Sequence, residues 1–372
     1  MKKLLTLYAA LISPVVFANP LANLTLPEGF QIEVYANDVK NARQMAMGDK
    51  GTLFVGSRNA GVVNAVVDVD GDFKADKVIE IASGLTMPSG IAFKDGNLYV
   101  AAISQVLVYE DIENRLDNPP AAKVLIGNLP TDVHHGWKYL GFGPDGWLYV
   151  PVGAPCNICQ TLGDDKFNDE RYASILKFDP KTKEQKIVAR GVRNSVGFDW
   201  HPSSKEFWFS DNGRDWLGDE LPPCEINKVT KEGEHFGYPY FHGGLVADPE
   251  FGMDKKASDY VQPQIRLDAH VAPLGIKFYR GSQFPKEYTQ ALFVAEHGSW
   301  NRADKSGYKV MVAKSQADGS LKYEDFITGW LNEKDEVSGR PVDVLNLADG
   351  SILVSDDFAN VIYRVTYRGA SE

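Results

Sequence analysis

Cysteine is scarce in this chain: Cys156, Cys159 and Cys224 are the full set in 372 residues. So few cannot staple a small disulfide-held fold, and no second pair exists to complete a zinc ribbon. The stretch "CNIC" has the spacing of covalent haem attachment, but Gln160 stands where that motif requires histidine, which excludes it. An odd set in an oxidising compartment leaves one disulfide and one thiol. Cys156 and Cys159 can pair with each other, or Cys224 with either.

Long apolar runs are also missing, apart from the 14 residues from Leu4 to Phe17. That run is too short to span a bilayer. Lys2 and Lys3 precede it, and Val16-Phe17-Ala18 has the small-residue spacing of a cleavage site. Residues 1–18 therefore read as an export signal, and 19–372 as a periplasmic or secreted protein with no membrane span. Positive charge is in deficit, with 39 Lys and Arg against 50 Asp and Glu and a net charge of -11. An acidic chain is a poor partner for nucleic acid or an anionic membrane. Convincing amphipathic helical patterns are scarce as well.

What the chain has is turns and repetition. Thirty-four glycines and twenty prolines accompany 44% hydrophobic residues, enough for a large core. One signature occurs six times: "GDKGTLFVGSR" (48–58), "FKDGNLYVAA" (93–102), "FGPDGWLYVPVG" (142–153), "WHPSSKEFWFSDNG" (200–213), "FPKEYTQALFVAEHG" (284–298) and "LADGSILVSDD" (347–357). Each is an apolar approach, a turn and an alternating strand. Asp95-Gly96, Asp145-Gly146 and Asp349-Gly350 are hairpin turns in which glycine accepts positive φ. Six such units predict an all-β, six-bladed β-propeller of four-stranded antiparallel blades in a single domain.

In a propeller the loop entering each innermost strand and the loop leaving the next strand share one face. The entering loops include "NARQMA", "VHHGWKYL", "GVRNSVGF" and "SGRPVDVL"; the leaving loops include "VGAPCNICQ", "SDNGRDWLGDE" and "AEHGSWNR". Arg43, His134, His135, Arg193, Asn194, His297, Trp300, Arg302 and Arg340 are thereby expected at one axial mouth. Converging guanidiniums in an acidic protein suit a compact polyanion. The plainer alternative pairs each arginine with an acid such as Asp343 or Asp199.

The ordered set "HHGWKYLGFGPDGWLYVPVG", "GVRNSVGF", "SDNGRDWLGDELPPCEIN", "GEHFGYP", "VAPLGIKFY", "HGSWNR" and "GRPVDV" resembles the soluble pyrroloquinoline-quinone-dependent sugar dehydrogenases, in particular their sorbosone-dehydrogenase-like branch. The resemblance implies the same six-bladed fold, pyrroloquinoline quinone (PQQ) and calcium as cofactors, and a sugar or sugar aldehyde as substrate. A separate electron acceptor, a quinone or a cytochrome, is implied too. By similarity Arg193, Asn194 and Arg340 hold carboxylate or quinone oxygens, with Arg43 and Trp300 adding contacts. The backbone carbonyls of Gly213 and Arg214 would ligate calcium, a role that needs no particular side chain. The family's general base lies eight residues before the first glycine of the "GPDG" turn, which here gives His135, with His134 at the rim or blade interior. Cys224 departs from the acid found there in glucose-oxidising members.

Two rival functions share the fold: a lactonase-like hydrolase with an axial ring of carboxylate metal ligands, and a non-catalytic binding platform. The loop "DVDGDFKAD" spaces Asp68, Asp70, Asp72 and Asp76 like a calcium loop, but the flanking helices and terminal glutamate of an EF-hand are missing. It is read as a solvated hairpin tip. Loops such as 240–262 are expected to govern substrate choice.

Overall fold

The computed structural model describes residues 20–163 and 167–369; the expected export signal, 1–18, lies outside the described residues. The six repeated hairpins form the inner halves of six antiparallel blades. Their innermost strands are Ala42–Met47, Gly90–Lys94, Gly141–Phe142, Phe198–Trp200, Pro273–Phe278 and Pro341–Asn346, each paired with the strand that follows. The fold is the six-bladed propeller that the repeat predicts. At the second-blade turn, Asp95 and Gly96 take φ of 51° and 78°, and Lys94 faces Asn97 across the pair. This is the two-residue hairpin geometry that matches strand twist.

The second strand of most blades, such as Leu53–Ser57, Leu148–Val152 and Ile352–Asp356, is buried along its whole length. A propeller blade has a neighbour on each face, so its apolar side chains fill seams rather than one central core. Phe54 packs with Ile91, Leu98 and Val100 between the first two blades. Tyr149, Phe198, Phe207 and Phe209 fill the seam between the third and fourth.

Polar side chains tie the inner strands to one another. Gln44 donates to the Leu140 carbonyl (2.6 Å) and accepts from the amides of Ile91 and Leu140 (2.9 and 2.8 Å), joining three blades. Asp343 accepts from the Met45 amide and the Tyr139 hydroxyl (2.9 and 3.0 Å). Asp199 is held by Arg280 (2.7 Å). Both acids are thus committed to the framework, and neither pairs with an arginine of the mouth.

The ring is closed by the N-terminal strand. Phe30–Ala36 pairs with Val361–Tyr367 and becomes the outer strand of the last blade. The Phe30 ring sits among Phe284, Tyr288, Phe326 and Tyr367, with centroids 4.8 to 5.1 Å away. Arg364 pairs with Glu33 at 2.8 Å.

Blade four carries an insertion before its outer strand. Its Glu234–His235 segment adds a parallel fifth strand to blade three beside Gln185–Arg190, and Phe241–His242 pairs with Val246–Ala247. The acidic tip between Val63–Val67 and Lys77–Ala82 brings Asp68, Asp70 and Asp76 oxygens within 4.8 Å of one another, without Asp72. Their carboxylates accept amides of the same turn.

Candidate active site

The entering and leaving loops do share one face, and there they enclose a cavity of about 290 Å³. That is near the lower end for small-molecule sites. His135, Arg193, Asn194, Arg340, Arg43, Gly213 and Trp300 all line it. The Arg214 side chain does not: it turns outward to the buried carboxylate of Asp248. No residue of 240–262 lines the cavity; Asp248 of that loop pairs with Arg214. Arg302 likewise belongs to the rim, where it pairs with Glu220 at 2.7 Å.

His135 is buried and adopts φ of 50°, a left-handed conformation unusual for histidine. Its backbone is pinned: the Gly136 amide donates to Val133 and the fully buried Lys138 amine donates to the Gly136 carbonyl. Gly153 lets the ring come close, since a Cβ there would lie 2.6 Å from that of His135. The ring's Nδ1 is 2.9 Å from the Ala154 carbonyl, which can only accept. Nδ1 therefore carries the proton, and Nε2 presents a lone pair. Burial, with the Arg193 and His134 charges, holds the His135 pKa well below the ordinary histidine value. It is neutral at pH 7 and competent as a base. His134 is exposed beside it, with ring centroids 4.0 Å apart.

Four guanidiniums surround the cavity, and they are not equally occupied. Arg193 is the most committed. Its Nε and Nη2 donate to the Asn157 carbonyl and Oδ1 (2.9 and 2.8 Å), Nη2 also to Asp215 (3.1 Å), and Nη1 to the Asn212 carbonyl (3.2 Å). Arg43 pairs with Asp357 at 2.9 Å, yet its Nε is buried without a partner. The Arg340 guanidinium donates to the carbonyls of His297 and Gly298 and, among the described residues, pairs with no carboxylate; its backbone amide donates to Asp356 (2.9 Å). The fourth, Arg58, lies over the Trp137 ring at 3.9 Å, and its Nε too is buried and unpartnered. Burial, then the Arg43 charge, lowers the Arg58 pKa to about 10. Among the described residues only two of these four guanidiniums form ion pairs, Arg193 with Asp215 and Arg43 with Asp357, in a protein of net charge -11.

Asp357 also bonds His297 Nε2 at 2.8 Å. Burial opposes its ionisation, but His297 and Arg43 hold its carboxyl well below the usual range. Burial together with nearby arginines lowers the His297 pKa to about 4. Asn194 is oriented through its backbone, as Asp211 accepts the amides of Arg193 and Asn194 (2.9 and 2.7 Å). The Asn194 Oδ1 is buried with no hydrogen-bond partner. Orphaned buried polar atoms are rare in folded proteins and mark a place where a ligand belongs. Among the described residues four lie at this cavity, the Asn194 Oδ1 and the N–H groups of Arg43 Nε, Arg58 Nε and Trp137 Nε1, and the three donors fit an anion.

Gly213 lies at the cavity wall, and among the described residues neither its carbonyl nor that of Arg214 accepts a hydrogen bond. Of the two, Gly213 lines the wall together with Asp215 and Arg214 does not; a free carbonyl beside a carboxylate suits a hard cation. Cys156 and Cys159 form the disulfide, leaving Cys224 free and buried at the cavity floor. Burial raises that thiol to about 11, so it is a neutral group. Trp300 is 66% exposed, which removes the option of a packed core residue. It meets the equally exposed Trp216 edge to face at 5.5 Å.

Arg58, Asn157, Asp215, Trp216 and Asp357 escaped the sequence reading as site residues. All lie in leaving loops recognisable from the repeat, and Arg58 directly follows the strand Leu53–Ser57. The signal was position in the blade rather than motif.

Fold and site together define a six-bladed propeller with a cationic, histidine-bearing axial pocket. The chain belongs to the family described as Domain of unknown function (DUF7133), which matches residues 17–368. It is 37% identical to an uncharacterized protein of Borreliella burgdorferi, covering 93% of this chain and 91% of that one. It is 32% identical to a pyrroloquinoline quinone-dependent pyranose dehydrogenase of Coprinopsis cinerea, covering 92% of this chain. The chain spans about half the length of that relative, 54%. The holo form of the Coprinopsis cinerea pyranose dehydrogenase PQQ domain superposes with a TM-score of 0.75 at 18% identity, over 92% of this chain and 97% of that one. The family likeness read from the motifs holds.

Proposed function

We propose that this protein is a PQQ-dependent sugar dehydrogenase that oxidises an aldose or sugar-derived aldehyde, of the sorbosone type, with calcium beside the quinone. One observation carries the reading: a neutral histidine with a free Nε2 faces a pocket lined by four guanidiniums, two of which form no ion pair among the described residues. Arg340, Arg58, Arg43, Arg193 and Asn194 would hold the carboxylate or quinone oxygens. The carbonyls of Gly213 and Arg214 would ligate the calcium ion. When bound, the quinone supplies a two-electron acceptor for hydride, and calcium supplies Lewis acidity.

The chain's own residues do the rest. His135 Nε2 takes a hydroxyl proton of the aldose hemiacetal, or of the hydrate formed by water and a sugar aldehyde, as hydride leaves carbon. Its Nδ1 hydrogen bond to Ala154 keeps the ring aimed and stabilises the charge it acquires. Trp300 and Trp216 offer apolar ring faces and edges at the entrance, suited to the C–H faces of a pyranose. A hydrolase with an axial metal cage is disfavoured because the mouth's carboxylates are engaged, Asp215 by Arg193 and Asp357 by Arg43 and His297. A binding platform leaves the strained, pinned histidine unexplained.

The Cys156–Cys159 disulfide favours an oxidising compartment, consistent with an exported protein whose electrons pass to a separate acceptor, a quinone or cytochrome. Purified apoprotein, titrated with PQQ and calcium against a panel of aldoses and sugar aldehydes, should reduce a dye only when both are present. Chelation should abolish the reaction and calcium restore it. Full activity in chelator rejects the calcium assignment, and no dye reduction with any sugar rejects the enzyme.

A further inference from the structure

A dense polar knot is formed by Asn157, which lies inside the four-residue ring closed by the Cys156–Cys159 disulfide. Its carbonyl and Oδ1 receive Nε and Nη2 of Arg193 (2.9 and 2.8 Å) in a two-pronged contact. The same Oδ1 accepts the Asp215 amide (2.9 Å), and Nδ2 donates to the Asp215 carbonyl (3.2 Å). Asn157 thus grips two things at once: the guanidinium on one wall of the cavity, and the 213–215 segment on another. The disulfide ring is itself fastened to the buried Tyr238, whose hydroxyl accepts the Cys159 amide (3.1 Å) and lies 3.3 Å from the Cys156 sulfur.

We propose that Asn157 is a positioning residue, clamped by the Cys156–Cys159 ring, that sets Arg193 and the Gly213–Asp215 segment in register for quinone and calcium together. This inference rests on the proposed PQQ function. Arg193 fans out between blade loops, and a guanidinium held at only one end can swing by an ångström or more. Holding it by two prongs fixes its plane, so that the remaining Nη1 hydrogen is directed rather than free. Because the same amide side chain bridges Arg193 and Asp215, moving one moves the other. A short disulfide ring is a cheap way to stiffen an asparagine that lies on a long leaving loop of blade three. Asn157 touches no reacting atom in this arrangement; it acts through Arg193 and Asp215.

The test is direct binding to the apoprotein, with quinone and calcium affinities read separately by tryptophan fluorescence and no turnover required. Asn157→Ala should weaken quinone binding about tenfold, the cost of a charge-assisted contact that loses its orientation. The calcium midpoint should rise in the same variant, while the sugar KM at saturating cofactor stays within about twofold. The double variant C156S/C159S should shift both affinities in the same direction as Asn157→Ala, and it carries the test if Asn157→Ala does not fold. Arg193→Ala is the reference. If Arg193→Ala loses quinone while Asn157→Ala and C156S/C159S bind both cofactors within about twofold of wild type, the clamp is overturned and the functional reading stands. If wild type binds no quinone, or Arg193→Ala binds it unchanged, the reading of this site fails and the clamp falls with it.

Discussion

At the scale of single residues, two histidines four ångströms apart have opposite fates. His135 is buried, neutral and tied through Nδ1, whereas His134 stands in solvent at the rim. His135→Gln should retain PQQ and calcium and lose turnover by roughly 10²–10⁴-fold, and His134→Ala should cost far less. Steady-state kinetics on both variants decide it, and the reverse ranking would reassign the base. Because the His135 pKa lies below its ordinary value, the proton needed to silence it arrives only in acid. The acid limb of the pH–rate profile should therefore fall below the usual histidine value rather than near it.

The arginines refine the sequence reading. Convergence at blade-equivalent positions was visible in the repeat, but the degree to which each is already satisfied was not. Hydrogen-bond partners such as Asn157 arrive from loops with no fixed spacing to the residue they hold. Arg340 and Arg58, whose guanidiniums pair with no carboxylate among the described residues, should be the strongest quinone anchors. Arg340→Ala and Arg58→Ala should each weaken quinone affinity by about 1.5–3 kcal/mol, roughly ten- to a hundredfold, with turnover at saturating quinone less affected. Titration of the apoproteins measures it, and unchanged affinity in both would move the anion site elsewhere.

At the scale of elements, the second strand of each blade carries the architecture and its end carries the chemistry. The strand Leu292–Glu296 runs buried to Glu296, one residue before His297. Glu296 Oε1 accepts the Tyr323 hydroxyl at 2.8 Å, Oε2 has no partner among the described residues, and burial raises the carboxyl to about 7. Between the ordinary glutamate value of 4.5 and about 7, the unfolded chain has lost this proton and the folded chain keeps it. Stability from this group is therefore full below 4.5 and drains away as pH rises through that window. Glu296→Gln does not titrate, so its melting temperature should gain on wild type between pH 4.5 and 7. A constant difference across that range would mean that Glu296 is ionised throughout. Strand positions were readable because alternation and the Asp-Gly turns have a local cause. The insertion of blade four was not, since its parallel pairing with blade three joins segments with no shared pattern.

At the scale of the whole molecule, the ring depends on one strand from the far end of the chain. Phe30 delivers its ring into four others, so Phe30→Ala should cost about 3 kcal/mol and lower the denaturant midpoint. Denaturation followed by tryptophan fluorescence checks this. A wild-type midpoint would show that the last blade closes without that contact. Closure also dictates when function can begin. Glu33 and Arg364 meet across 331 positions of sequence, and Arg43 and Asp357 across 314. Loops of that span are late to close, and contacts of such high order slow folding. A chain made from its first residue onward holds Arg43 long before Asp357 or Arg340 exists. Until the final blade docks, that guanidinium has no counter-charge and the cavity has no far wall. A nascent or prematurely ended chain therefore holds only part of the cavity, without Arg340 and its far wall, and under the proposed function full-affinity capture of the quinone would report completed synthesis.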